Sequence, residues 1–177
     1  MSTADRIAVP AIAHRPGTRR RRGLPPIVAP DARVLILGSF PSEASLAARQ
    51  YYAHPGNRFW PVLAALLNEP LVEMSYPART ATVRAHRIAI WDTIVACERK
   101  GSLDAAIRNA ERGAIARIRR IARDIEAVCF NGSTAARAEP LWRTEGFSTL
   151  VLPSTSPAYT LPLTKKIEAW HALMAYL

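Results

Sequence analysis

The chain has 177 residues, nearly half of them hydrophobic, which suits one globular domain with a sizeable core and is marginal for two. Its 24 Lys and Arg against 14 Asp and Glu give a formal net charge of +10; this favours an anionic partner, nucleic acid before a membrane surface, although a solvated basic surface gives the same count. Two cysteines, Cys97 and Cys129, argue against a disulfide framework, cannot supply the four ligands an iron–sulfur cluster normally takes, and read as buried structural thiols.

Residues 1–30 contain five prolines, six arginines and a single Asp, with four of the arginines consecutive at Arg19–Arg22. Such a segment buries little and is expected to be a flexible basic tail preceding a domain at residues 31–177. It reads either as a phosphate-tracking arm or as a solubility segment. No apolar run is long enough to span a membrane, and no secretion signal opens the chain. A soluble, cytoplasmic protein is expected.

The domain opens with Val34-Leu35-Ile36-Leu37, a short apolar run stopped by Gly38, which reads as a buried strand. A polar loop, Gly38-Ser39-Phe40-Pro41-Ser42, and a helical turn over 42–50 follow. Next comes a dense cluster of aromatic and polar residues: Tyr51, Tyr52, His54, Asn57, Phe59 and Trp60. The spacing of Phe59, Val62, Leu63, Leu66 and Leu67 predicts a helix over 57–67, with Pro61 tolerable only near its first turn. A second helix is predicted over 77–87.

Ile88 to Trp91 reads as the second strand, ended by Asp92-Thr93; residues 94–99 read as irregular, and a short helix is capped at Ser102 to Asp104. An amphipathic helix is predicted over 114–125, with five apolar residues on one face and Arg117, Arg120 and Arg123 on the other. Ala127 to Phe130 is the third strand, followed by a helix over 133–143 broken near Pro140. Ser148 to Leu152 is the fourth strand, and a final helix covers 163–177. Strands alternating with helices predict a single α/β domain, three layers deep, with a four-stranded, mainly parallel central sheet.

In such a sheet the loops after the strands gather on one edge, where ligands bind. Here those loops are 38–42, 91–93, Asn131-Gly132 and 153–157, and the aromatic cluster must join them. Stacking faces beside hydrogen-bonding groups suit a planar, polar ligand such as a nucleobase. The four histidines show no metal-ligand spacing, and no phosphate-binding loop or dinucleotide fingerprint is present. No cofactor and no metal are expected.

The segments G-S-F-P-S, Y-Y-A-H-P-G-N-R-F-W and L-P-S-T-S-P-A together resemble the uracil-DNA glycosylase superfamily, most of all its hypoxanthine-DNA glycosylase branch, over residues 31 to 177. The resemblance implies a monofunctional base-excision repair enzyme acting as a monomer. It would flip a deaminated base out of DNA and cleave its glycosidic bond by water attack. Hypoxanthine is the first expected base and uracil the second.

The resemblance also distributes roles. Phe40 stands where mismatch-specific relatives carry a catalytic Asn, so the catalytic task passes to Asn57, which would orient water. Asn57 is equally an N-cap candidate. Gly38, Ser39 and Phe40 would wall the base pocket. Tyr52 would stack on the base, His54 would donate to base or phosphate, and Asn131 would read the base edge. Core packing, a structural histidine and a turn-forming Asn are the plain alternatives for these three. Ser154, Thr155, Ser156 and Pro157 stand where other branches carry a phosphate-pinching loop, and Lys165, with Lys166, would extend that contact. Ser154 to Pro157 also reads as a simple turn. Two rival functions remain open on sequence: a non-catalytic damaged-DNA-binding module and a nucleotide enzyme using the same sheet edge.

Overall fold

The structure, a computed structural model, describes residues 20–177. In chain order its elements are β1 (Arg20–Arg22), β2 (Val34–Gly38), α1 (Glu43–Ala48), α2 (Phe59–Leu67), α3 (Tyr76–Ala85), β3 (Ile88–Asp92) and β4 (Ile94–Glu98). A 3₁₀ turn (Asp104–Ala106) then leads to β5 (Arg108–Arg112), α4 (Ile115–Ile121), β6 (Ala127–Asn131), α5 (Ser133–Ala136), α6 (Glu139–Thr144), β7 (Ser148–Leu152) and α7 (Leu163–Trp170). A second 3₁₀ segment (His171–Tyr176) closes the chain.

Four strands form a fully parallel sheet in the order β3-β2-β6-β7. Every residue of β2 and β3 is buried, which a parallel strand covered on both faces requires. Side chains alternate between those faces. Val34, Ile36, Ile88, Ile90 and Cys129 meet Phe59, Leu63 and Trp170 of α2 and α7 on one side. Leu35, Leu37, Ala89, Val128 and Phe130 meet Ile115, Ile118 and Trp142 of α4 and α6 on the other. The expected three-layer architecture follows directly from this alternation.

Beside it lies a three-stranded antiparallel sheet, β1-β4-β5, which the sequence reading lacked. Residues 94–99, read as irregular, contain β4, paired with β1 on one side and β5 on the other. Neither partner carries a periodic apolar signal: β1 is three arginines, and β5 is exposed along its whole length. Their conformation comes from tertiary pairing and not from local pattern.

Residues 20–30, which the sequence assigns to the basic tail, are integrated parts of this fold. Ile27 exchanges backbone hydrogen bonds with Ile90 and so covers the outer edge of β3. The Leu24 carbonyl accepts from Tyr51 Oη at 3.2 Å. Residues 1–19 lie outside the described residues.

The remaining differences concern helix ends. The helix expected from Asn57 begins at Phe59, with Pro61 in its first turn. The helix expected to reach residue 125 stops at Ile121, and Ile125 enters the same core from extended chain. The helix expected to break near Pro140 divides ahead of it, leaving Pro140 in the first turn of α6.

Candidate active site

The loops after β2, β3, β6 and β7 meet the 51–57 segment at the carboxyl edge of the parallel sheet, around a cavity of about 290 Å³. A larger depression of about 420 Å³ lies at the opposite edge, lined by Asp31, Arg33, Arg87 and Glu126 among others. There Arg33 pairs with Glu126 at 2.6 Å and Arg87 approaches Asp31 at 4.0 Å, so its charges already face one another. The carboxyl-edge cavity is where unsatisfied polar groups collect.

Asp92 ends the apolar strand β3 and lines this cavity. It is only 4 % exposed, and its Oδ2 makes no hydrogen bond among the described residues. Burial is the main force lifting its carboxyl to a pKa of about 8; the negative charge of Asp104 adds to the rise, and the Arg99 guanidinium opposes it. Tyr52 shares the corner: its hydroxyl is buried, lies beside the Asn131 amide without a well-formed hydrogen bond among the described residues, and is held protonated by burial and by the proximity of Asp92, which outweigh the opposing Asn131 contact. The close approach depends on Gly38. A Cβ there would lie 2.4 Å from Asp92 Oδ1 and 3.0 Å from Tyr52 Oη.

Tyr52 adopts a left-handed backbone conformation with φ of 55°. Its ring stacks on Phe59, 3.7 Å between centroids and 14° from parallel. The aromatic is therefore locked in place by the first residue of α2. Asn57 lines the cavity, and its Oδ1 accepts from the Phe59 backbone N–H at 2.9 Å. This satisfies one of the orphan donors at the start of α2. The carbonyl oxygen keeps a second lone pair, so helix capping and water orientation are compatible at one atom.

Several expected ligand groups are instead braces. The Asn131 side chain donates to Thr155 Oγ1 at 2.8 Å and accepts from the Thr155 N–H at 2.9 Å. The Thr155 carbonyl in turn accepts from Arg58 N at 2.9 Å. Asn131 lines the cavity, but its amide is committed to pinning the 153–157 loop, and the fully buried Thr155 is out of reach of a phosphate. Gly132 allows the two loops to touch: its φ is 93°, and a Cβ would sit 2.8 Å from that of Ser154.

Ser154 and Ser156 line the cavity, and their hydroxyls accept from the N–H groups of Ser156 and Ala158. Pro157 is exposed and packs near Gly56. His54 is exposed and outside the cavity lining, its Nδ1 accepting from Gly56 N at 3.1 Å. Lys165 is exposed and bonded to Glu168 at 2.8 Å, whereas Lys166 is buried. Lys166 Nζ donates to the carbonyls of Ser154 and Tyr159, both at 2.7 Å, making it a loop clamp and not a phosphate ligand.

The loop after β2 is clamped comparably. Ser39 Oγ donates to Asp104 Oδ1 at 2.8 Å. Arg99, 2 % exposed, donates to the Pro41 carbonyl and lies 4.9 Å over the Phe40 ring. The sequence reading missed Asp92, Arg99 and the burial of Lys166. Only Asp92 left a signal, a lone carboxylate closing an otherwise apolar strand.

The fold and this cavity define an α/β protein with a polar-lined cavity at the carboxyl edge of a parallel sheet. Comparison with known proteins makes the class specific. The profile of the uracil DNA glycosylase superfamily matches residues 25–176. A protein of Methanosarcina acetivorans named hypoxanthine DNA glycosylase is 35 % identical over 156 residues, covering 88 % of this chain and 99 % of that one. Its namesake in Methanosarcina barkeri is 32 % identical over 151 residues, covering 85 % and 96 %. The solution NMR structure of a candidate uracil DNA glycosylase from Methanosarcina acetivorans superposes with a TM-score of 0.77 at 33 % identity, covering 88 % of this chain and 99 % of that one. The chain belongs to the uracil DNA glycosylase superfamily, and it is a DNA glycosylase.

Two expectations follow. Gly38→Ala should displace the Asp92 carboxyl and the Tyr52 hydroxyl, costing about 1–3 kcal/mol in denaturant unfolding and most of the excision rate. Unchanged stability and rate would mean that the corner is loosely held. The second concerns pH. The folded chain keeps the Asp92 proton to about pH 8, while the unfolded chain releases it near the ordinary carboxyl value of 3.8. Between these values the folded state binds more protons, so rising pH costs stability by at most about 1.4 kcal/mol per unit. Asp92→Asn removes this loss. Its stability relative to the parent should therefore grow from pH 4 towards pH 8, and parallel curves would contradict the buried neutral acid.

Proposed function

We propose that this chain, acting as a monomer, excises hypoxanthine from deoxyinosine in DNA and leaves an abasic site. The observation that carries the reading is the single corner where Asn57, Tyr52 and Asp92 meet one base-sized cavity. Two relatives named hypoxanthine DNA glycosylase, each matched over almost its whole length, support the choice of base. Tyr52, backed by Phe59, offers a fixed ring on which the flipped base stacks. Asn57 orients the water that attacks the anomeric carbon as the glycosidic bond breaks. Its amide is too weak a base to deprotonate that water fully, so it acts by position. The hydroxyls and backbone of Ser154 and Ser156, with Lys165 beyond them, face the strand's phosphates. No buried lysine is free to act as a nucleophile here: Lys166 is committed to two carbonyls. This favours a monofunctional reaction.

The test is single-turnover excision on duplexes carrying one deoxyinosine, deoxyuridine, deoxyxanthosine or thymine, with alkali cleavage at abasic sites. Fastest cleavage at deoxyinosine is expected. Cleavage at deoxyuridine alone would replace the base and keep the class; DNA binding without cleavage at any base would favour a binding module. Asn57→Ala should slow deoxyinosine excision by about 10²–10⁴-fold while leaving DNA affinity within a few-fold. It should also cost about 1 kcal/mol of stability, because the cap on Phe59 is lost. Equal single-turnover rates for parent and variant would remove Asn57 from the reaction.

A further inference from the structure

Asp92 has no structural task that accounts for it. A buried carboxyl normally holds a loop through hydrogen bonds, because leaving its oxygens unpaired is costly. Asn131, Lys166 and Arg99 all do such holding at this edge. Asp92 Oδ2 is itself closed to solvent and holds nothing among the described residues, yet the residue lines the cavity and keeps 4 % exposure there. The bare backbone at position 38 leaves the room it occupies: a Cβ there would lie 2.4 Å from Asp92 Oδ1 and displace the carboxyl.

The groups around it decide its charge. Asp104, fixed by Ser39, faces it from the 3₁₀ turn after β4 and disfavours a second anion. Arg99 on the far side favours the anion, but its guanidinium is engaged by the Pro41 carbonyl and the Phe40 ring. Tyr51 and Tyr52, the other titratable neighbours, stay neutral. Burial outweighs the single cation, so at neutral pH Asp92 carries a proton, and its Oδ2 finds no hydrogen-bond partner among the described residues.

We propose that Asp92 is the general acid of the reaction, protonating the departing purine on an acceptor of its edge, N7 or O6. The proposal rests on the hypoxanthine reading above. As the C1′–N9 bond breaks, its electron pair goes to the base. The Asp92 proton neutralises that charge, and hypoxanthine leaves as a neutral molecule. Water oriented by Asn57 adds its oxygen to C1′ of the sugar cation, and the proton it sheds restores the Asp92 acid. The overall change is deoxyinosine plus water giving an abasic sugar plus hypoxanthine. Water attack and leaving-group protonation thus fall to different residues on different loops, each with a protonation state suited to its task.

The experiment compares single-turnover excision of deoxyinosine by the parent and by Asp92→Asn from pH 5.5 to 10, reading the ratio of the two rates. Ionisation of the substrate's own ring N–H cancels in that ratio. Asparagine has a similar shape and cannot give up a proton. The ratio is expected to be about 100 at pH 6–7. It should then fall about tenfold per unit above the Asp92 pKa of about 8. A ratio near one throughout would overturn the proposal, as would a large ratio constant with pH, which is the signature of a purely structural loss. An infrared titration of the parent, seeking a protonated carboxyl band at pH 7 that Asp92→Asn lacks, checks the acid independently of whether the variant folds fully. Absence of that band would also overturn it. If the folded parent excises no deoxyinosine at any pH, the hypoxanthine reading fails and takes this assignment with it; an active parent with a constant ratio removes Asp92 alone.

Discussion

The constraint on which the structure depends is the burial of β2 on both faces. A strand covered by α2 and α7 on one side and by α4 and α6 on the other has no place for a polar side chain along its length. Its neighbours β3 and β6 obey the same rule. Polar chemistry is therefore pushed to where the strands end, and because the sheet is wholly parallel those ends coincide. Gly38, Asp92 and Asn131 occupy the last positions of three adjacent strands. The site is a consequence of what the core refuses to contain.

Loops gathered in this way must still be held, and here side chains hold them. Lys166 and Trp170 on one turn of α7 reach carbonyls of the 153–159 segment, while Asn131 grips Thr155 from the adjacent strand end. Arg99 secures the loop after β2 from the small antiparallel sheet. These braces are made of the same residue types that bind ligands, and only their partners distinguish the two. Lys166 and Asn131 are paired and support the wall, and Arg99 holds the Pro41 carbonyl while its Nε and Nη1 stay unpaired; Asp92 Oδ2 and Tyr52 Oη, also buried without a hydrogen bond among the described residues, belong to side chains that line the cavity. Buried polar groups are normally satisfied, so an unsatisfied pair in a cavity points to a partner from outside the chain.

Much of this was legible in the sequence, for physical reasons specific to each element. Three of the four parallel strands, β2, β3 and β6, were visible because burial on both faces forces short, continuous apolar runs between breakers, whereas β7 is a partly exposed edge strand and showed itself by its branched residues before Pro153. Strand β5, Arg108–Arg112, was invisible because it is exposed throughout and exists only by pairing with β4. Residues 20–30 looked like tail because arginine and proline dominate them, yet Ile27 finds the free edge of β3. At the site, Asn57 and Tyr52 stood out in a dense aromatic and polar segment. The commitments of Asn131, Thr155 and Lys166 were not legible, since each depends on a residue 7 to 24 positions away. The exposure of His54 was equally hidden, because turn geometry and not residue type turns the ring away from the cavity.

Phe40 bears on the proposed division of the chemistry between Asn57 and Asp92. Its position in the loop after β2 lies beside the cavity, but its ring is only 6 % exposed and is capped by a buried guanidinium. A carboxylate or amide there would have to share a low-dielectric pocket with Arg99, Asp104 and Asp92, and its charge or dipole would perturb all three. The aromatic keeps that side of the cavity free of another polar competitor and leaves Asp92 under the control of burial. Polar function then shifts to the two flanking positions, the start of α2 and the end of β3. An amide suits the first because the helix terminus needs an acceptor for the Phe59 N–H. A carboxyl suits the second because burial keeps it neutral, and a neutral acid, unlike a carboxylate, can donate to a departing base.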